Sequence, residues 1–272
     1  MTHSGADIAT LLETHGLRPS RALGQNFVAD PNTVRRIARL ADIGPGSSVL
    51  EFGAGLGSLS LALAETGARV VAVELDRYLL PVLRSVVEPA GVEVVAADAM
   101  TLDVAGLLAE RGGGPWSLVA NLPYNVATPL VMRTLAEVPA IDRLLVMVQR
   151  EVGERMAAQV GDPAYGSVSV RVAYFARSSV AGKVPASVFI PRPRVESVLV
   201  RMERRPEPAV PLDEVTYERL AAVVKAGFGQ RRKMLRSSLA GVVTPEAFVR
   251  AGIRPEARAE ELTVEEWGRL AQ

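Results

Sequence analysis

Residues 48–60 read SVLEFGAGLGSLS: an apolar run of strand length, three glycines at alternate positions, then apolar residues resuming toward a helix. Val49, Leu50 and Phe52 suit a strand buried on both faces, and a helix is expected from about Ser58 to Glu65. Between them Gly53, Gly55 and Gly57 let the backbone turn sharply and admit a ligand where Cβ atoms would intrude. A plain structural turn explains the glycines equally well. A dinucleotide fingerprint would place glycine or alanine at position 58, where this chain has Ser58, so a nicotinamide dehydrogenase is the weakest reading.

The same alternation continues outward. RVVAVEL (69–75) reads as a second buried strand, with further strands expected at 92–96, 118–120 and 144–148. Helices are expected near 78–87, 129–137 and 151–159. Upstream, Asp30-Pro31 is a helix start, followed by Val34, Ile37, Ala38 and Ala41 on one face. Strands alternating with helices imply parallel pairing, hence an α/β class with a Rossmann-like sheet covered on both faces. Past residue 160 the pattern changes to a strand pair at 178–184 and 195–202, which would close the sheet at one edge. Pro206, Pro208 and Pro211 then make a stiff connector. The boundary is placed there, giving a catalytic domain over 1–205 and a small all-α C-terminal domain over 206–272, with a final helix at 264–270.

Composition narrows the chemistry. The 272 residues include no Cys and two His, so thiol catalysis, cysteine zinc sites and a Ser-His-Asp triad are disfavoured, and no metal is expected. No apolar run reaches membrane-spanning length, and the start MTHSGADIATLL lacks a signal-peptide pattern, so a cytoplasmic protein with no membrane partner is expected. Formal charge is +1, but it is unevenly spread. Residues 1–150 carry 12 Lys+Arg against 15 Asp+Glu, while residues 151–272 carry 19 against 15. Arg18–Arg39 holds five Arg and one acid, and Lys225–Arg236 five basic residues and none. Each segment is either a solvated surface or a phosphate-binding one, and the excess of Arg over Lys favours bidentate phosphate contacts.

Two acids fall where this topology would use them. Glu74 ends the second strand, where a carboxylate can accept ribose hydroxyls, and Asp98 follows the third, near an adenine amino group. Alone, each reads as a cap or a solvated acid; together, after the glycine turn, they favour an adenosyl cofactor. Asn121-Leu122-Pro123-Tyr124 follows the strand at 118–120 and can present an amide oxygen, a main-chain carbonyl and a phenol ring to one amino-substituted base.

These residues carry a resemblance. LGQNFVAD (23–30), EFGAGLGSLS (51–60), VVAVELD (70–76), ADAM (97–100), NLPYNVATPL (121–130), VQREVGERM (148–156), AYGSVSV (164–170), SVFIPRPRVESVLVRM (187–202) and FGQRRKMLRSSL (228–239) together resemble the rRNA adenine N6,N6-dimethyltransferase family. Within it they are most similar to the small-subunit (16S) enzymes of the KsgA type. The resemblance implies S-adenosylmethionine (SAM) as cofactor and dimethylation of two adjacent adenosines near the 3′ end of 16S rRNA, acting as a monomer on an assembling subunit.

By motif, Asn26, Val28, Gly53, Gly55, Glu74, Asp98 and Asn121 would hold SAM. Asn121, Leu122, Pro123 and Tyr124 would form the amine site, with Phe189 closing on the other face of the base; Phe189 also reads as a core aromatic at a strand end. Arg192, Arg194, Arg231, Arg232, Lys233 and Arg236 would grip RNA. Ala54 stands where the family usually has proline, and Ala127 where it more often has Ser. The alternatives are a large-subunit rRNA dimethyltransferase of the antibiotic-resistance type, which shares the same chemistry, and a non-catalytic ribosome-assembly factor.

Overall fold

The computed structural model describes residues 2–211, 213 and 215–272; Leu212 of the proline connector lies outside them. Among the described residues there are nine strands: β1 (Phe27–Val28), β2 (Ser48–Phe52), β3 (Arg69–Glu74), β4 (Glu93–Ala96), β5 (Trp116–Asn121), β6 (Ile141–Gln149), β7 (Ala176–Val184), β8 (Phe189–Ile190) and β9 (Ser197–Arg204). The first seven helices are α1 (Gly5–Thr14), α2 (Pro31–Leu40), α3 (Ser58–Ala64), α4 (Leu80–Val87), α5 (Val104–Ala109), α6 (Ala127–Glu137) and α7 (Arg150–Ala157). Five more follow: α8 (Ser167–Phe175), α9 (Tyr217–Gly229), α10 (Leu235–Ser238), α11 (Pro245–Ala251) and α12 (Val264–Ala271).

Seven strands form one sheet in the order β4-β3-β2-β5-β6-β9-β7. β2 pairs in parallel with both β3 and β5, β3 with β4, and β5 with β6. Strand order therefore reverses direction on either side of β2, and the carboxyl ends of β2 and β5 open a crevice at this switch point, the position where such sheets bind ligands. Val49, Val70, Ala72, Val119 and Met147 from the sheet pack with Leu63 and Leu83 from the covering helices, all essentially inaccessible. The continuous apolar strands are thus explained by burial on both faces.

Local chemistry sets the helix starts. Asp30 accepts hydrogen bonds from the Asn32 and Thr33 amides at 3.3 and 3.0 Å, and Pro31 occupies the first turn of α2. Three elements had no clear sequence signal. α1 begins with a reciprocal Ser4–Asp7 capping box but buries only Ile8. β1 and β8 are two residues each, joined antiparallel with Val28 opposite Phe189, too short for any periodicity to register.

The chain forms two compact units. One comprises the residues up to Gly153 together with Val180–Met202; the other comprises Glu154–Ser179 with Glu203–Gln272. The chain therefore passes between units three times, whereas sequence patterning places a single boundary at 205/206. The segment 154–179 carries no proline run or charge block to mark its change of partner. In the second unit Trp267 of α12 is fully buried with Leu220, Val223 and Val224 of α9 and Tyr174 of α8. No helix among the described residues is long and apolar enough to cross a membrane, and none of their His, Asp and Glu form a group of three or more able to hold a metal ion.

Gly227, inside α9, is a test of this packing. On propensity alone alanine would be favoured there by up to about 1 kcal/mol, but its Cβ would stand 2.4 Å from Trp267 Cη2. Overpacking of this kind costs about 1–3 kcal/mol, so Gly227→Ala should destabilise the helical unit despite its better helix propensity. Urea unfolding followed by tryptophan fluorescence will show a lower midpoint; an unchanged or raised midpoint would contradict the packing described.

Candidate active site

A cleft of about 200 Å³ opens at the carboxyl ends of the central strands. Gly53, Gly55, Glu74, Asp98, Asn121 and Tyr124 all line it, and the segment Ala22–Val28 forms one wall. Gly53 and Gly55 have φ of +71° and +60°, the left-handed region that favours glycine. A Cβ on Gly55 would lie 3.0 Å from the Phe27 ring, so the glycine lets the wall approach the turn. Ala54 in place of the family's proline does not leave this turn loose. Its amide donates to the Val73 carbonyl at 3.3 Å, beside the Gly53 amide at 2.9 Å, a bond proline could not make.

Glu74 is buried and held by three backbone donors. Its Oε2 accepts from the Gly55 amide at 2.8 Å, and its Oε1 accepts from the Leu75 and Asp76 amides at 2.9 and 2.8 Å. Burial pushes its pKa above the ordinary carboxylate value, and the three amides pull it part of the way back. Oε2 retains a lone pair for a further donor. Asp98 uses Oδ1 to accept from the Met100 amide at 2.8 Å, which leaves Oδ2 as an acceptor at the cleft.

Asn121 sits at the last residue of β5. Its Nδ2 donates to the Asn26 carbonyl at 3.0 Å, and because that partner can only accept, the amide oxygen is the atom turned the other way. Leu122 donates its amide to the Met147 carbonyl at 3.1 Å, while its own carbonyl has no hydrogen-bond partner among the described residues. Pro123 packs against Gly24 and Gly53. Tyr124 is half-buried, its phenol oxygen 2.7 Å from Ser197 Oγ, and burial raises its pKa. Asn26 ties its Nδ2 to the Gly24 carbonyl at 3.0 Å, and Val28 reaches the cleft from β1.

Other sequence candidates lie elsewhere. The Phe189 ring is 3% exposed within the core cluster and does not line the cleft; the observed position is that of the core aromatic, with its backbone paired to Val28. Arg192 and Arg194 are exposed in the first unit, whereas Arg231, Arg232, Lys233 and Arg236 are exposed in the second. Arg231 pairs with Glu260 at 2.8 Å and Arg236 with Glu256 at 3.3 Å, so part of that cluster's charge is already answered. Arg232 and Lys233 have no ion pair among the described residues.

Three residues escaped the sequence reading. Gln25 donates to Asp76 Oδ2 at 2.7 Å and so fastens the N-terminal wall to the loop after β3; its place within LGQNFVAD was the available signal. Ser197 is the Tyr124 partner. Glu51 lines the cleft although it is 1% exposed, and its Oε2 accepts from the Ser60 hydroxyl at 2.5 Å. Burial, opposed by that bond and reinforced by Glu74, raises its pKa to about 8. A raised carboxyl pKa stabilises the fold fully below the unfolded value, and that contribution is lost as pH climbs toward 8. Glu51→Gln should therefore flatten the fall in stability between pH 5 and pH 8, read from denaturation midpoints across that range; an identical slope would place the proton elsewhere.

Residues 17–272 match the family model described as ribosomal RNA adenine dimethylase. Proteins named ribosomal RNA small subunit methyltransferase A from Streptomyces griseus and Nocardia farcinica are each 46% identical to the chain, over 273 and 277 residues, spanning 98% of it and 93% of theirs. Among solved structures, the 23S rRNA methyltransferase ErmE superposes with a TM-score of 0.70 at 27% identity, covering 90% of this chain and 98% of that one. A dimethyladenosine transferase from Plasmodium falciparum gives 0.75 at 22% identity over 89% and 94%, which shows the shared fold. With the family match running from residue 17 to the last residue, the chain belongs to the ribosomal RNA adenine dimethylase family.

Proposed function

We propose that the protein transfers methyl groups from SAM to N6 of two adjacent adenosines near the 3′ end of 16S rRNA, leaving both dimethylated. The observation that carries this reading is the orientation of Asn121. With its Nδ2 committed to Asn26, its oxygen and the unpartnered Leu122 carbonyl are two adjacent acceptors at the cleft. An amino group conjugated to a ring has two hydrogens to give such a pair. Accepting both would localise the nitrogen lone pair and aim it, which is the improvement an adenine amine needs as a nucleophile. Small-subunit rRNA is favoured over large-subunit rRNA because the 46% identical relatives carry that name across nearly the whole chain.

The donor set fits the cofactor. Glu74 Oε2 has a lone pair for a ribose hydroxyl, Asp98 Oδ2 for an adenine amine, and the positive-φ glycines leave the main chain open to the methionine end, with Asn26 and Val28 along the wall. When bound, SAM supplies a methyl on a sulfonium, already activated for transfer. Asn121 and Leu122 hold the amine, Pro123 fixes their turn, and Tyr124 stacks on the base, which must leave its own stack to enter. The proton departs after transfer, so no strong base has to be placed at the nitrogen. Phe189 supports this wall from the core through its pairing with Val28. RNA is held by Arg192 and Arg194 and by the basic cluster of the C-terminal unit. The protein acts as a cytoplasmic monomer on an assembling small subunit.

Substitutions at the amine site and in the basic cluster test the reading. Asn121→Ala should lower methyl transfer to immature small subunits by about 10²–10³-fold, the scale of losing one preorganised polar contact, with RNA binding retained; unchanged turnover would refute the amine role. Because Arg231 is already ion-paired, replacing only Arg232 and Lys233 by Ala should produce most of the loss of the triple Arg231, Arg232, Lys233 replacement. The expected signature is weaker RNA binding with a salt slope shallower by about 2 × 0.7–0.9 and unchanged SAM affinity. Primer extension on both rRNAs from cells with and without the gene locates the product; a stop confined to the large-subunit rRNA would transfer the assignment there.

A further inference from the structure

Ser197 is the first residue of β9 and is completely buried. β9 begins where β6 ends: the Arg150 amide donates to the Glu196 carbonyl at 3.0 Å, and the Arg150 guanidinium pairs with the Glu196 carboxylate at the same distance. This brings Ser197 to the edge of the sheet at which β5 delivers the Asn-Leu-Pro-Tyr loop. Its hydroxyl lies 2.7 Å from the phenol oxygen of Tyr124, 73 residues away in the chain. No other side chain bonds to that hydroxyl among the described residues. The near end of Tyr124 is set by the turn in which the Val126 amide donates to the Pro123 carbonyl at 3.1 Å. A tyrosine held only at its backbone still swings about two side-chain torsions; one held also at its oxygen has a defined ring plane.

We infer that Ser197 is a positioning residue of the amine site: by anchoring the Tyr124 hydroxyl it fixes the plane on which the target adenine stacks, and the second methyl transfer depends on it more than the first. The inference rests on the adenine dimethylation proposed above. An unmethylated amine has two equivalent hydrogens, so either rotation about the C6–N6 bond satisfies an acceptor at Asn121. After one transfer the nitrogen carries one hydrogen and one methyl, and a single rotation remains productive. A base whose stacking plane wanders therefore loses more of its productive poses in the second step. Ser197 touches neither base nor cofactor, so its effect should run entirely through the Tyr124 ring.

The test compares wild type, Ser197→Ala, Ser197→Thr, Tyr124→Phe and the Ser197→Ala/Tyr124→Phe pair. Each is given immature small subunits and SAM, and the digested rRNA is read by mass spectrometry for N6-methyl- and N6,N6-dimethyladenosine over time. Thermal unfolding and SAM affinity are measured alongside. Loss of one hydrogen bond predicts that Ser197→Ala and Tyr124→Phe each slow the second transfer by about tenfold and accumulate the monomethyl product, with SAM affinity within about twofold of wild type. The double variant should be no worse than either single, and Ser197→Thr should restore the wild-type product ratio.

A wild-type ratio of mono- to dimethyl product in either single variant, or additive losses in the double, would overturn the inference. Lower thermal stability with an unchanged ratio would also overturn it, since it would make the bond structural only. If Ser197→Ala does not fold, Tyr124→Phe decides by the same ratio. The failure of the underlying reading looks different: there the wild-type protein itself would transfer no methyl to adenine.

Discussion

The bond from the Gly55 amide to the Glu74 carboxylate is the constraint on which the site depends. It joins the turn after β2 to the end of β3 at 2.8 Å, on one side of the crevice that opens between β2 and β5. A carboxylate in that buried position would lose its charge to desolvation if left alone; three amide donors oppose this. The same three bonds shape the two loops that border the cleft, so the group that would meet a ribose also determines the form of the turn that would meet the rest of the cofactor. Gln25 then reaches Asp76 in the second of those loops and carries the constraint to the N-terminal wall. That wall in turn positions Asn121 through the Asn26 carbonyl. Cofactor side and amine side are therefore linked by one chain of hydrogen bonds, each formed by a residue at the end of a strand or in a loop beside it.

Most of this was legible in the sequence, and the reason is physical. β2, β3, β5 and β6 are mostly buried, so their residues are largely apolar, interrupted by Glu51, Ser117, Asp142 and Arg143, and the ends of the first three are marked by Gly53, Glu74 and Asn121. Glu74 and Asn121 could be placed because each is the last residue of such a strand, and Asp98 because it follows the edge strand β4; all three line one cleft. What could not be read was anything decided by pairing at a distance. The two-residue strands β1 and β8 exist only because each is the other's partner. Ser197 is an ordinary strand residue by composition, and its role appears only when β9 is seen to begin beside the end of β6. Phe189 read two ways in the sequence, as closing on the base or as a core aromatic; its ring lies in the core cluster and its backbone pairs with Val28.

The distribution of charge has a similar explanation. A net charge of +1 is small for binding a polyanion, yet it averages an acidic first part with a basic second part. Glu74 and Asp98, acids of the first part, line the cleft, apart in sequence from the basic residues of the second part. Ion pairing sharpens the separation: Arg231 and Arg236 are answered by Glu260 and Glu256, leaving Arg232 and Lys233 as the charges of that cluster with no ion pair among the described residues. Nonspecific attraction to RNA scales with unmatched charge. A small number of unmatched charges keeps that attraction weak and leaves discrimination to shape.

The chemistry of the cleft follows the same economy. Glu51, whose pKa is raised to about 8, is buried with Ser60 as its hydrogen-bond partner, while the loop that would meet the base offers an amide oxygen and a main-chain carbonyl. Neither of those acceptors titrates in the range where proteins fold, so the geometry they impose on an amine is the same at every working pH. An amine held by neutral acceptors also keeps its proton until the nitrogen has become cationic, when loss to water is fast. A site built this way gives up the rate that a strong base adds and obtains in exchange a nucleophile defined by orientation alone. Orientation is then the quantity to protect, and that is the physical reason a buried serine on β9 would be worth holding against the phenol of Tyr124.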